Sequence, residues 1–238
     1  MICHIEPILT RSYSIMKKAL KNNILIINPW IYDFAAFDLW AKPLGLLYLA
    51  STLRKNGYNL HYLDCLDIHN REMLRVAGYS PKRKMYGTGQ FYKQSVKKLP
   101  ILKNIPRKFS RYGITTEIFC RELKRVSPPQ AILVTSMMTY WYPGVFEVIK
   151  IVKNFFTQAP VILGGVYASL CYEHAAKTAG ADFVITGEGE TKVLELLKDL
   201  TGQKTIYFPD SNDLNSYPYP AFDLLSRLDY IPILTSRG

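Results

Sequence analysis

Asn23-Ile24-Leu25-Ile26-Ile27-Asn28 (NILIIN) is an unbroken apolar run, rich in isoleucine and closed at each end by an amide. A strand with one wet face would alternate apolar and polar residues. A continuous run of this length belongs to a strand covered on both faces, which is the situation of a parallel sheet sandwiched between helices. The residues that follow agree. Lys42 to Asn56 has helical spacing, with Pro43 near its first turn and Gly57 at its stop. Asn59 to Leu63 then reads as a second strand, completing one βαβ unit.

The same alternation resumes further on. A helix from Thr115 to Val126 precedes the strand Ala131 to Thr135 (AILVT), and a helix from Pro143 to Phe156 precedes the strand Val161 to Leu163. A short helix from Tyr172 to Ala179, the strand Asp182 to Ile185 and a helix from Glu190 to Leu200, ended by Gly202, complete the set. The expected fold is α/β, a doubly wound five-stranded parallel sheet of Rossmann-like type. Residues 1–22 are read as an N-terminal extension, and residues 23–203 as the domain, with an insertion at about 66–113. Residues 204–220 are read as an edge strand (Lys204 to Phe208) and a polar, proline-rich linker. Residues 221–238 begin something new, with a β-like run from Tyr230 to Leu234 leading into Thr235-Ser236-Arg237-Gly238.

Composition narrows the classes. The chain has 238 residues, 48% of them apolar, and no window of about 18 uninterrupted apolar residues, so a transmembrane helix is not indicated. The first residues lack the continuous apolar stretch of a secretory signal. Cys3, Cys65, Cys120 and Cys171 are widely spaced, with no C-x-x-C pair, and are read as free thiols of a cytoplasmic protein. The net charge of +11 is concentrated between Tyr79 and Tyr112, which hold ten Lys or Arg and no Asp or Glu. Aromatic residues interleave with these cations, so the segment suits either nucleic acid or a role beside a cofactor or substrate. Without a nucleic-acid-binding motif the former is disfavoured.

In an open α/β sheet, ligands bind beyond the carboxyl ends of the strands. The loops there are Asn28-Pro29-Trp30, Ser136-Met137-Met138-Thr139, Gly164-Gly165-Val166-Tyr167 and Gly187-Glu188-Gly189-Glu190. Paired glycines let backbone approach a flat ligand closely, and serve a tight turn equally well. Ser136 and Thr139 offer hydroxyls, or cap the helix that follows. The two carboxylates at Glu188 and Glu190 disfavour a phosphate cradle, and the first turn has no G-x-G-x-x-G.

Together these loops resemble the cobalamin-binding Rossmann-like family, whose pattern is D-x-H-x-x-G after the first strand, S-x-L after the third and G-G after the fourth. Ser136-Met137-Met138 and Gly164-Gly165 match the last two, and the resemblance spans about Ile24 to Leu200. Asn28 to Phe37 has no histidine, so the resemblance implies cobalamin held without a protein histidine on cobalt. That form belongs to the radical S-adenosylmethionine branch, which Pro43 to Ala50 (PLGLLYLA) and Ile185 to Glu190 (ITGEGE) also resemble, and whose CxxxCxxC loop follows a strand ending like Thr235 to Gly238. The resemblance implies a methyltransferase of which this chain holds the corrinoid site, while the 4Fe-4S cluster and S-adenosylmethionine need the full-length protein. It places the corrin against Ser136, Met137, Thr139, Gly164, Gly165, Val166, Tyr167, Gly187, Glu188, Gly189 and Glu190, with Trp30 near the rim; no catalytic or metal-ligating residue is assigned. The substrate of the full enzyme is a small molecule of unknown identity. The alternatives are a basic nucleic-acid-binding module and a nucleotide-dependent transferase on the same fold.

Overall fold

The computed structural model describes residues 22–210 and 212–236. The expected N-terminal extension up to Lys21, with Cys3, and the final Arg237-Gly238 lie outside the described residues. Asn22, the last residue of that extension, is tied into the domain through Gln130 and Gln203.

In chain order the elements are β1 (Asn23–Asn28), β2 (Ile31–Asp33), β3 (Phe37–Asp38), α1 (Leu44–Lys55), β4 (Asn59–Asp64), α2 (Arg71–Ala77), β5 (Gly89–Gln90), β6 (Lys93–Ser95), β7 (Ser110–Tyr112), α3 (Thr116–Arg125) and β8 (Ala131–Val134). They continue with α4 (Tyr142–Phe155), β9 (Val161–Leu163), α5 (Val166–Leu170), α6 (Tyr172–Thr178), β10 (Phe183–Val184) and α7 (Glu190–Thr201), with short 3₁₀ turns between. The main sheet is five-stranded in the order β10-β9-β8-β1-β4, and every pairing is parallel.

Alternate residues of NILIIN face opposite layers, as a buried parallel strand requires. Leu25 and Ile27 join α3, α4, α5 and α6 in one core, where Ile118, Phe119, Val148 and Tyr167 are buried. Ile24 and Ile26 join α1 and α7 in the other, with Leu46, Ala50, Leu53, Val193 and Leu197. The sheet is therefore doubly wound, and because β8 lies on the opposite side of β1 from β4, the winding reverses between β1 and β8. Loops leaving the two strands on either side of such a reversal diverge and leave a crevice at their carboxyl ends.

The insertion has more structure than its irregular sequence implies. It forms α2 and two small antiparallel sheets, β2-β7-β6 and β3-β5. Both sheets recruit β2 and β3 from the loop after β1, so this module includes residues 31–38 as well as 66–113. Buried Arg111 anchors it: its guanidinium donates to Gln94 Oε1 at 2.8 Å, to Glu147 Oε1 of α4 at 3.2 Å and to the Thr116 hydroxyl of α3.

Two expected strands are absent among the described residues. Lys204 to Phe208 has no ladder partner; the buried Asn56 side chain takes its place, with Oδ1 accepting from Ile206 N and Tyr207 N at 2.8 and 2.9 Å and Nδ2 donating to Tyr207 O at 2.9 Å. Tyr230 to Leu234 is likewise irregular and mostly exposed. Ile231 and Ile233 are exposed, while the Tyr230 hydroxyl bonds Asp38 and Leu234 reaches the cleft described below.

Candidate functional site

A cleft of about 710 Å³ opens at the carboxyl ends of the strands, in the crevice flanked by β8 and α1. This volume lies within the usual range of small-molecule and cofactor sites. One wall is the start of α1, from Lys42 to Leu46 with Tyr48 and Leu49; the base is Leu133 to Met137 and Ile162; the far wall is Gly164 to Val166, Ile185, Gly187 to Glu190 and Val193. Leu234 and Ser236 reach its mouth from the C-terminal segment.

Ser136 sets the geometry of the base. Its hydroxyl, buried at the end of β8, donates to Gly164 O at 3.1 Å and accepts from Tyr167 N at 3.1 Å, and its carbonyl accepts from Val166 N at 2.7 Å. The turn between β9 and α5 is thereby locked against β8. Gly165 is required by that lock: its φ is +92°, and a Cβ there would lie 2.7 Å from Ser136 N and closer still to Ser136 O.

Three other glycines have no such obligation. A Cβ on Gly45 or Gly164 would meet nothing closer than 3.9 Å, and one on Gly189 only Val193 and Ile185 at 3.8 and 3.9 Å; none has a left-handed φ. All three line the cleft, so the space their missing side chains leave is cleft volume. A bare-backbone cradle with leucine, isoleucine and valine walls fits a broad, largely apolar ligand. Among the described residues, no histidine lines it.

Nine of the twelve residues expected at the site share this cleft: Ser136, Met137, Gly164, Gly165, Val166, Gly187, Glu188, Gly189 and Glu190. Thr139, Tyr167 and Trp30 do not line it. Thr139 lies in the 3₁₀ turn leading to α4, outside the cleft lining. Tyr167 points into the opposite core, where its hydroxyl meets His174 Nδ1 at 2.7 Å and its ring stacks on Tyr142. Trp30, expected at the rim, is 1% exposed; it donates to Ile114 O at 2.7 Å and packs edge-on against Phe119. The α1 wall was not included in the expected set, although PLGLLYLA was noted there. Leu44, Gly45, Tyr48 and Leu49 in a helix read equally well as core, and only the position of α1 beside the reversal point exposes them to the cleft.

A smaller polar cavity of about 220 Å³ adjoins at Lys42, between His61 to Asp64 of β4, Asp67, Glu122 of α3 and the segment Leu224 to Arg227. Asp64 accepts from Asn28 Nδ2 at 2.8 Å and Leu66 N at 2.9 Å on one oxygen. Burial raises its pKa, and the charge of Lys42 pulls it back in part.

Comparison with known proteins agrees with this geometry. Residues 112–197 match the B12 binding domain family. The match covers α3 to α7 with β8, β9 and β10, hence the base and far wall of the cleft; β1, α1 and β4 lie outside it. It supports a corrinoid as the ligand. The cytidylyl-2-hydroxyethylphosphonate methyltransferase of Streptomyces wedmorensis is 24% identical over 181 residues, 75% of this chain and 28% of that protein. The chain thus spans well under a third of the length of this relative. No solved structure gives a significant match. No helix among the described residues is long and apolar enough to cross a membrane.

Proposed function

We propose that this chain holds cobalamin in the cleft between α1 and β8 and, as the domain formed by residues 23–203 of a radical S-adenosylmethionine enzyme, presents it for methyl transfer. The observation that carries the reading is the glycine cradle. Gly45, Gly164 and Gly189 line the cleft without being required by the backbone, and Gly164 and Gly189 fall within the B12 binding domain match. Bound cobalamin supplies a methyl group on cobalt that can be passed to a substrate. The protein's part is placement and exclusion of water. Ser136 and Gly165 fix the floor, Leu46, Leu49, Leu133, Ile162 and Val193 form dry walls, and no histidine among the described residues lines the cleft, His69 meeting Asp229 and His174 meeting Tyr167. The corrinoid would be held without a histidine of the described residues on cobalt. A 4Fe-4S cluster and S-adenosylmethionine would be bound by residues other than those of this cleft. The methyltransferase named above is the basis for methyl transfer as the reaction class.

The test is reconstitution. The chain is incubated with hydroxocobalamin, freed of excess ligand by gel filtration and examined in the visible. Stoichiometric corrin absorbance, unchanged in His61→Ala and His69→Ala variants, is expected; a colourless protein peak would overturn the reading.

A further inference from the structure

The small sheet β3-β5 has its two sides reversed. β5 also bridges to Arg83 through Gly89, and Gln90 N and Lys84 N bond Lys82 O and Thr88 O at 2.9 and 2.7 Å, so residues 82–84 form a third row closed by a turn at Met85 to Gly87. On the side facing the domain, buried Asp38 takes the Arg83 guanidinium at 2.7 Å and the Tyr230 hydroxyl. The neighbours of Asp38 and Arg83 point the other way, as alternation along a strand requires. They are Phe37, Leu39, Lys82 and Lys84, and all four are exposed. A sheet with one wet face keeps its apolar residues inside and its charges outside. Here an ion pair is inside and the apolar side chains are out.

The turn is no better explained by folding. Trp40 and Tyr86 have φ of +62° and +61°, left-handed values that suit glycine or asparagine and strain an aromatic residue. The Trp40 indole donates to Tyr86 O at 3.3 Å, which joins the two. Met85 and Tyr86 are 74% and 73% exposed, so the turn projects into solvent. It is backed by the C-terminal segment, since a Cβ on Gly87 would lie 2.8 Å from Asp229 O.

Charge decides what covers this face. Of the ten cations between Tyr79 and Tyr112, Arg83 and Arg111 are ion-paired and Lys98 is half-buried on Ile105 O. The other seven are exposed and enter no ion pair among the described residues, and six of them are lysines. Protein interfaces deplete lysine. A single-stranded nucleic acid would stack on aromatic rings, but Phe91, Tyr92, Phe109 and Tyr112 of this segment are buried, and Leu39 and Met85 offer a polyanion nothing. Aromatic and aliphatic side chains on a projecting turn flanked by lysines suit the boundary of a bilayer. Rings settle there among the head groups, and anionic lipid attracts the lysines.

We propose that the outer face of β3-β5, with Trp40, Met85 and Tyr86 at its turn and Lys82 and Lys84 beside them, docks this protein on a membrane surface rich in anionic lipid. Attachment is peripheral, with the turn entering the head-group layer.

The test is flotation of the chain with vesicles of phosphatidylcholine alone and of equal parts phosphatidylcholine and phosphatidylglycerol. It needs no corrinoid, so its outcome stands apart from the cofactor reading. Retention on the mixed vesicles should be about tenfold stronger or more, and weakened by salt. Trp30 is buried and Trp141 half-buried, so a blue shift of tryptophan emission on the mixed vesicles reports Trp40 and should vanish in Trp40→Gly. Trp40→Gly and Tyr86→Gly supply the residue that each φ favours, so both should keep the thermal midpoint while vesicle affinity falls about tenfold. Lys82→Gln/Lys84→Gln should lose about as much, and Lys82→Arg/Lys84→Arg little. Should a glycine variant unfold, Met85→Ser carries the same comparison. No retention on the mixed vesicles would overturn the proposal and leave the face to a protein surface. Retention without the blue shift, or equal in all the variants, would overturn it as well, because the other cations would then account for the attraction. A single-stranded RNA oligomer that displaces the vesicles, and whose own binding depends on Trp40 and Tyr86, would reassign the face to nucleic acid.

Discussion

Single glycines in this cleft separate what folding needs from what a ligand needs. Gly165 sits at φ +92° against the backbone of Ser136, so Gly165→Ala should cost about 2 kcal/mol or more and lower the thermal midpoint. Gly45→Ala places a methyl group in open space and Gly164→Ala one in ordinary contact with Ile185 O, both without a left-handed φ, and in each the loss of unfolded-state freedom should leave stability unchanged or raise it by up to about 1 kcal/mol. The same two substitutions should weaken hydroxocobalamin binding, since the added methyl occupies the cradle. Thermal melts and corrin titrations on the three variants test this together; equal melting loss at Gly164 and Gly165 would contradict the distinction. Ser136→Ala belongs at this scale too. It leaves Tyr167 N without its acceptor in a buried turn, at a cost of about 1 to 3 kcal/mol.

Among the elements, those with an unambiguous period were legible in the sequence. NILIIN, AILVT and VIL are continuous apolar runs, and each is a buried parallel strand within a residue or so of its expected span. What escaped was whatever depends on residues distant in sequence. The ladder β2-β7 joins Ile31 to Tyr112, and neither segment has enough apolar alternation to announce a partner some eighty positions away. The α1 wall is a similar case, because its leucines carry one pattern whether they face a core or a ligand. Lys204 to Phe208 was expected as an edge strand on β-propensity alone, but the backbone groups that would enter a ladder are taken by Asn56. That side chain also donates to Thr52 O at 2.9 Å, so it makes four hydrogen bonds in a site with no access to water. Asn56→Ala should cost about 3 kcal/mol, and Asn56→Asp nearly as much, because a carboxylate cannot donate to the two carbonyls. Chemical denaturation gives the number; a loss below about 1 kcal/mol would mean that residues 204–208 are held by packing instead.

For the whole molecule, the segment from Tyr219 to Ser236 joins regions that the sheet alone leaves apart. It bonds α1 through Ser51 and Arg54, the loop after β4 through Asp67 and His69, and the insertion through Asp38, and it ends at the cleft mouth with Leu234 and Ser236. The central fastening is Asp229, whose carboxylate meets His69 Nε2 at 2.6 Å and Arg227 Nε at 3.1 Å. Burial by itself would raise the pKa of Asp229, but His69, Arg227 and Arg83 outweigh it and hold the group below the ordinary aspartate value. A carboxylate depressed in the folded state stabilises it above the unfolded pKa, and that contribution is lost as pH falls from about 4 through the lower folded value. At neutral pH the fastening is therefore intact, and Asp229→Asn reproduces its loss without acid. If the segment is a strap laid on an independently stable sheet, Asp229→Asn should speed amide hydrogen exchange in residues 222–236 several-fold while leaving β1, β8 and β9 protected. Cobalamin should also leave the variant faster, because Leu234 and Ser236 would no longer be held at the mouth. Equal acceleration in the strap and the sheet would mean that the segment is part of one cooperative unit with the domain, and its contacts with the cleft would then reflect the fold and not a closure over the ligand.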